Sequence, residues 1–95
     1  MIDPNRVGVE GGSHGGFLSG HLVGQPEFKN IYQAASLWNP VLDMTFLVMA
    51  SDIPDWIFAC CCNEDVDFTA LTPERKADFF NRSPMAYVDK VTTPT

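Results

Sequence analysis

The sequence predicts an α/β fold built on a parallel sheet, and three observations carry that expectation. A short β-branched run, Arg6-Val7-Gly8-Val9, leads straight into a glycine cluster, Gly11-Gly12-Ser13-His14-Gly15-Gly16. Phe17, Leu18, His21 and Leu22 then recur at helical spacing as far as Gly24. After a turn, residues 31–37 form a second, mostly apolar run of strand length. Strand, helix, strand in that order is a βαβ unit, whose crossover is right-handed almost without exception.

Each element has its own local signals. Asp3-Pro4-Asn5 is turn-like and opens the first strand, and the glycine cluster makes a sharp turn at its end. The first helix stops where Gly24 is followed by Gln25-Pro26, a terminal glycine and then a proline that cannot continue the ladder. Residues 26–30 form a turn, and Asn39-Pro40 breaks the second strand. Residues 41–50 read as a helix, Asp52-Ile53-Pro54-Asp55-Trp56 as a capped turn or short helix, and residues 63–67 as an acidic loop. Thr72-Pro73-Glu74 sets a capping hydroxyl, an N1 proline and an acidic first turn ahead of a helix that reaches Arg82. Ser83-Pro84 repeats the device for a short turn through Tyr87, and Val91-Thr92-Thr93-Pro94-Thr95 is the approach to another strand. No internal repeat or low-complexity linker interrupts the order.

Composition removes several classes of function. The chain has 95 residues, 6 Lys+Arg against 12 Asp+Glu, and a formal charge of −6. It therefore lacks the basic footprint that nucleic acid or an anionic membrane surface requires, and neither is an expected partner. Its longest apolar stretches, Met44–Ala50 and residues 57–62, fall far short of the ~20 residues that span a bilayer. The opening Met1-Ile2-Asp3-Pro4-Asn5-Arg6 lacks the basic-then-apolar pattern of a secretory signal. The three cysteines are consecutive, Cys60-Cys61-Cys62, a spacing of neither a disulfide framework nor a zinc site. One small domain in a reducing, cytoplasmic setting, with no metal and no cofactor, is the expectation.

The chemistry lies in the glycine cluster. Gly11-Gly12-Ser13-His14-Gly15 fits G-x-S-x-G, in which a serine on a strained strand-to-helix turn needs small neighbours so that the backbone can fold beneath it. Gly11 and Gly15 provide that space, with Gly12 and Gly16 completing the elbow. The turn exposes the Ser13 hydroxyl and aims the His14 backbone N–H, at the positive end of the following helix, toward an incoming carbonyl oxygen. Ser13 is a candidate nucleophile and the His14 N–H is half of an oxyanion hole; the rival reading is a structural or phosphate-cradling glycine loop. The His14 imidazole is a poor general base for Ser13, because adjacent side chains diverge at a tight elbow. His21, two helical turns on, reads as packing or surface, and Glu10 as hydrogen-bonding or solvent-facing.

Ile2-Asp3-Pro4-Asn5-Arg6-Val7 leading into Gly11-Gly12-Ser13-His14-Gly15-Gly16-Phe17 resembles the nucleophile region of the prolyl oligopeptidase family of serine peptidases. His14, Asn39-Pro40-Val41, Asp52-Ile53-Pro54-Asp55-Trp56 and Ser83-Pro84-Met85-Ala86-Tyr87 are similar to its acylaminoacyl-peptidase branch. The likeness covers nearly the whole chain in order and is weakest over residues 57–78. Trp38 stands where the branch leads one to expect an arginine. The resemblance implies cytosolic α/β-hydrolases that carry an additional β-propeller and release N-acylated amino acids from blocked peptides, with Ser13 as nucleophile. It implies a triad in the order Ser, Asp, His, with Asp and His beyond the strand that starts near Val91. Residues 1–95 are then expected to be a fragment of one α/β-hydrolase catalytic domain, a partial α/β-hydrolase fold with an incomplete parallel sheet. The triad Asp and His, the early strands and the propeller lie outside it. The expected substrate of the full enzyme is an N-acylated peptide, and a homo-oligomer is left open. In isolation the chain is expected to be inactive, and the alternative reading is a truncated, non-catalytic fragment acting, if at all, as an interaction module.

Two further constellations have plain readings. Asn63, Asp65, Asp67 and Glu74 follow part of a calcium-loop spacing, but Phe68 stands where the loop needs glycine and Pro73 precedes the glutamate, so a solvated acidic loop is expected. Consecutive cysteine side chains cannot all converge on one ion, so Cys60, Cys61 and Cys62 are expected as buried or half-buried reduced thiols. Trp38, Phe46, Trp56 and Phe58 are expected to pack a core or a neighbouring domain.

Overall fold

The computed structural model describes residues 1–28, 30–62 and 71–95, with the main chain alone at residue 62. The chain divides into two compact units, Met1–Leu42 with Ser83–Thr95, and Asp43–Arg82. In the first, strand β1 (Gly8–Gly12) is followed by helix α1 (His14–Gly24), a 3₁₀ turn at Pro26–Phe28 and strand β2 (Ala34–Trp38). The strands pair in parallel, from Gly8 opposite Ala34 to Gly12 opposite Trp38. This is the expected βαβ order and a partial α/β fold.

Both strands lie later in the chain than residue type alone suggests. β1 takes in Gly11 and Gly12 rather than occupying residues 6–9, because they lie opposite Leu37 and Trp38 in the parallel ladder and that pairing outweighs their low strand propensity. β2 starts at Ala34 rather than residue 31, since the Ile31 N–H donates to the Phe28 carbonyl and closes the preceding turn at 3.0 Å. Just outside the ladder, the Gln33 N–H donates to the Val7 carbonyl (2.8 Å), and the Val7 N–H to the Gln33 side-chain oxygen (2.7 Å). Residues 91–95 run beside β2, where the Pro94 carbonyl accepts from the Ala35 N–H at 2.8 Å and the Thr93 hydroxyl donates to the Tyr32 carbonyl at 3.3 Å.

α1 buries a different face from the one its apolar spacing marks. The buried residues are Gly16, Ser19, Gly20, Val23 and Gly24, while Leu18 is exposed and Phe17, His21 and Leu22 are half-buried. Close approach of the main chain explains the reversal. A Cβ on Gly20 would lie 2.9 Å from Pro84 Cβ, and one on Gly24 3.0 Å from Tyr87 Cβ. Both contacts come from the 3₁₀ segment Pro84–Lys90, longer than the expected turn through Tyr87 and tied down by the Met85 N–H donating to the Leu42 carbonyl at 3.0 Å.

The second unit is helical: α2 (Met44–Ala50), α3 (Pro54–Cys62) and α4 (Pro73–Asn81). Asp43 caps α2 by accepting from the Phe46 N–H at 3.1 Å, and Thr72 caps α4 by accepting from the Arg75 N–H at 3.2 Å. Each cap satisfies an N–H that has no partner inside its helix. Met44, Ile57, Phe58 and Phe79 form the buried core, with the rings of Phe58 and Phe79 edge to face at 5.4 Å. Of residues 52–56, expected as a capped turn or short helix, 54–56 open α3, whose first residue is Pro54, where proline costs no helical bond. α3 carries Cys60 and Cys61 on different faces. Cys60 is exposed, a correction to the expected burial, and Cys61 is half-buried with its sulfur 3.2 Å from Met44 Sδ. Phe58 is core and Trp56 half-buried, but Phe46 is 64% exposed. The acidic loop with Asn63, Asp65 and Asp67 lies outside the described residues, and Glu74 is exposed in the first turn of α4. Among the described residues no helix is long and apolar enough to cross a membrane, and no cluster of metal-ligating side chains forms.

Candidate active site

Ser13 is the single residue between β1 and α1, and its backbone is forced: φ is 51° and ψ −116°, a conformation side chains rarely adopt. Such strain, of order 1–3 kcal/mol, persists only where the surroundings over-determine it. Here they do. The Ser13 N–H donates to the Trp38 carbonyl at 2.9 Å, and its carbonyl accepts from the Phe17 N–H at 3.1 Å and the Val41 N–H at 3.3 Å. With both peptide groups engaged, the side chain projects outward. Ser13 is exposed, and its hydroxyl makes no hydrogen bond among the described residues. It stands at the carboxyl end of two parallel strands, where α/β sheets place their ligands.

The glycines divide the work unequally. A Cβ on Gly11 would collide with the main-chain carbon and oxygen of Gly15, and one on Gly16 would come within 2.6 Å of Pro40 Cβ. These two glycines let β1, α1 and the turn after β2 close around Ser13. On Gly15, by contrast, a Cβ would meet nothing within 4 Å among the described residues. The space-making expected of Gly11 and Gly15 thus falls to Gly11 and Gly16, while the Gly15 carbonyl accepts the Ser19 hydroxyl at 2.9 Å. Gly12 is exposed at the end of β1, opposite Trp38. Sequence reasoning missed a further residue, Asn39, which has a positive φ of 41° directly after β2. Its signal was present in the Asn-Pro pair, since asparagine tolerates the left-handed region better than other side chains.

His14 opens α1, where main-chain N–H groups point out of the helix end rather than along its ladder. Its exposed ring lies flat on Phe17 at 5.5 Å, and Phe17 meets the edge of His21 at 4.6 Å. His21 then meets Tyr87 at 5.8 Å, with Gln25 Nε2 3.1 Å from its Nδ1. His21 is therefore a packing residue, and Glu10 is exposed on β1 opposite Ser36. The model of the prolyl oligopeptidase family matches residues 1–95.

The chain belongs to the prolyl oligopeptidase family. It is 44% identical over 96 residues to an acylamino-acid-releasing enzyme of Arabidopsis thaliana, a match over 100% of this chain and 12% of that protein. It is 36% identical to the acylamino-acid-releasing enzyme of Homo sapiens, over 98% of this chain and 12% of that one. A Bacillus subtilis protein described as an uncharacterized peptidase is 33% identical over 98% of this chain and 13% of its own length. The chain spans about 12% of the length of the first curated relatives it matches. Within this family segment Trp38, 66% exposed beside the serine turn, is not the core residue its size suggests.

Proposed function

We propose that this chain carries the nucleophile of a serine peptidase that releases N-acylated amino acids from blocked peptides. The observation that carries the reading is the turn itself: an exposed serine with positive φ, held between a parallel strand and a helix start by three main-chain hydrogen bonds. The names of the plant and human relatives supply the substrate class. Ser13 Oγ attacks the carbonyl carbon of the acylated residue while its proton passes to a base from outside these residues, and the His14 N–H donates to the oxygen that becomes negative. Collapse of the tetrahedral intermediate breaks the C–N bond, the leaving amine takes the proton, and water then hydrolyses the Ser13 ester. A serine hydroxyl is a weak nucleophile without a base, so position alone is insufficient.

The test is to exchange this chain for the matching 96 residues of the Arabidopsis thaliana enzyme. The graft is expected to release acetylated amino acids and to be labelled by a fluorophosphonate at Ser13, and Ser13→Ala to abolish the labelling. The 95 residues alone are expected to stay unlabelled. A folded graft left unlabelled, beside an unaltered enzyme that reacts, overturns the reading. It would favour a non-catalytic interaction module using exposed apolar side chains such as Trp38 and Phe46.

A further inference from the structure

We propose that Asn39 is a positioning residue for Ser13, acting through its left-handed backbone rather than its side chain; the proposal rests on the reading of Ser13 as nucleophile. Among the described residues, Ser13 and Asn39 are the two non-glycine positions with positive φ, 51° and 41°. They face each other: the ladder ends with Gly12 opposite Trp38, so each lies one residue past the end of its strand. In a parallel ladder every second residue donates to the carbonyl one position before its opposite number and accepts from the N–H one position after it. Ser13 makes the first bond, to the Trp38 carbonyl at 2.9 Å.

The second would require the N–H of residue 40, which is a proline and has none. The Val41 N–H takes its place, reaching the Ser13 carbonyl at 3.3 Å. Asn39 is where the chain departs from strand geometry so that the donor one residue further on meets the same acceptor. Pro40 at the same time fills the space above Gly16, where a Cβ would come within 2.9 Å of its Cα. The Asn39 side chain is exposed and makes no hydrogen bond among the described residues, which leaves the backbone as the feature under constraint. A proline disfavours helical geometry in the residue before it, and a β-branched residue at positive φ is a steric outlier, so asparagine and glycine are the residue types that fit.

The experiment uses the graft into the Arabidopsis thaliana enzyme and compares Asn39→Gly, Asn39→Ala and Asn39→Val. Asn39→Gly should keep the fluorophosphonate labelling rate and kcat within about twofold, because glycine adopts positive φ freely. Asn39→Val should lower both by ~10- to 100-fold, with Asn39→Ala between, while KM changes little. Exchange protection of the Ser13 and Val41 amides should fall together in the same order, a readout that needs no activity and no valine variant that folds. Equal labelling in Asn39→Val and the parent graft overturns the proposal, and so does a loss in Asn39→Gly as large as in Asn39→Ala, which would assign the effect to the side chain. If the parent graft is unlabelled while both amides still follow the order Asn, Gly, Ala, the nucleophile reading fails and the backbone role of Asn39 at Ser13 stands; if the amides do not follow it, that role fails as well.

Discussion

Around Ser13 the buried positions of α1 are Gly16, Ser19, Gly20, Val23 and Gly24, whereas in Asp43–Arg82 the core is Met44, Ile57, Phe58 and Phe79. Among the described residues Val23 is the one large hydrophobic side chain that the first unit buries in its core, so this unit relies on main-chain proximity: parallel pairing, the Ser13 bonds to Trp38 and Val41, and prolines seated on glycines. The helical unit relies on aromatic area, with Phe58 and Phe79 at 2% and 0% exposure. Close main-chain packing holds one residue in a strained conformation with high precision, and aromatic burial holds helices together with more tolerance. The two units should therefore fail under different substitutions, all readable in the graft into the Arabidopsis thaliana enzyme.

The largest effect is chemical and belongs to the first unit alone. Ser13→Ala should lower kcat by roughly 10⁶-fold, the scale seen when a serine peptidase loses its nucleophile, without altering amide exchange in the helical unit. A loss below about tenfold would place the chemistry elsewhere. In the helical unit Phe79→Ala should lower the free energy of local opening by about 3–5 kcal/mol, because it removes a fully buried ring against Phe58. Hydrogen exchange across α4 and α3 reads that change, and protection unchanged there would contradict the aromatic core.

The glycines give the sharpest contrast. Gly11→Ala should destabilise β1 and α1 by about 1–3 kcal/mol, since its methyl group runs into the Gly15 main chain. Gly15→Ala should do the reverse, gaining about 0.5–1 kcal/mol of helix stability in open space. Equal losses at both sites would refute the division of labour between Gly11 and Gly15. Smallest is Thr72→Ala, which removes the hydroxyl accepting from the Arg75 N–H and should cost about 1 kcal/mol, with amide exchange rising in the first turn of α4 only.

The amino-acid order by itself determined the features that depend on near neighbours. G-x-S-x-G after a β-branched run located the serine turn, Thr72-Pro73-Glu74 located the start of α4, and the strand–helix–strand sequence implied parallel pairing. These signals are local because a cap, a proline ring or a missing Cβ acts within a few residues. Tertiary structure decided what depends on residues distant in the chain. It drew Gly11 and Gly12 into β1 by pairing them with Leu37 and Trp38, and turned the glycine face of α1 inward because Pro84 and Tyr87 approach too closely for a side chain. It also set Asn39, at positive φ, opposite Ser13 one residue past the end of β2, beside a hydrogen bond to Ser13 that Pro40 could not donate and Val41 could. Apolar periodicity records which side chains favour burial; it does not record where two main chains must touch.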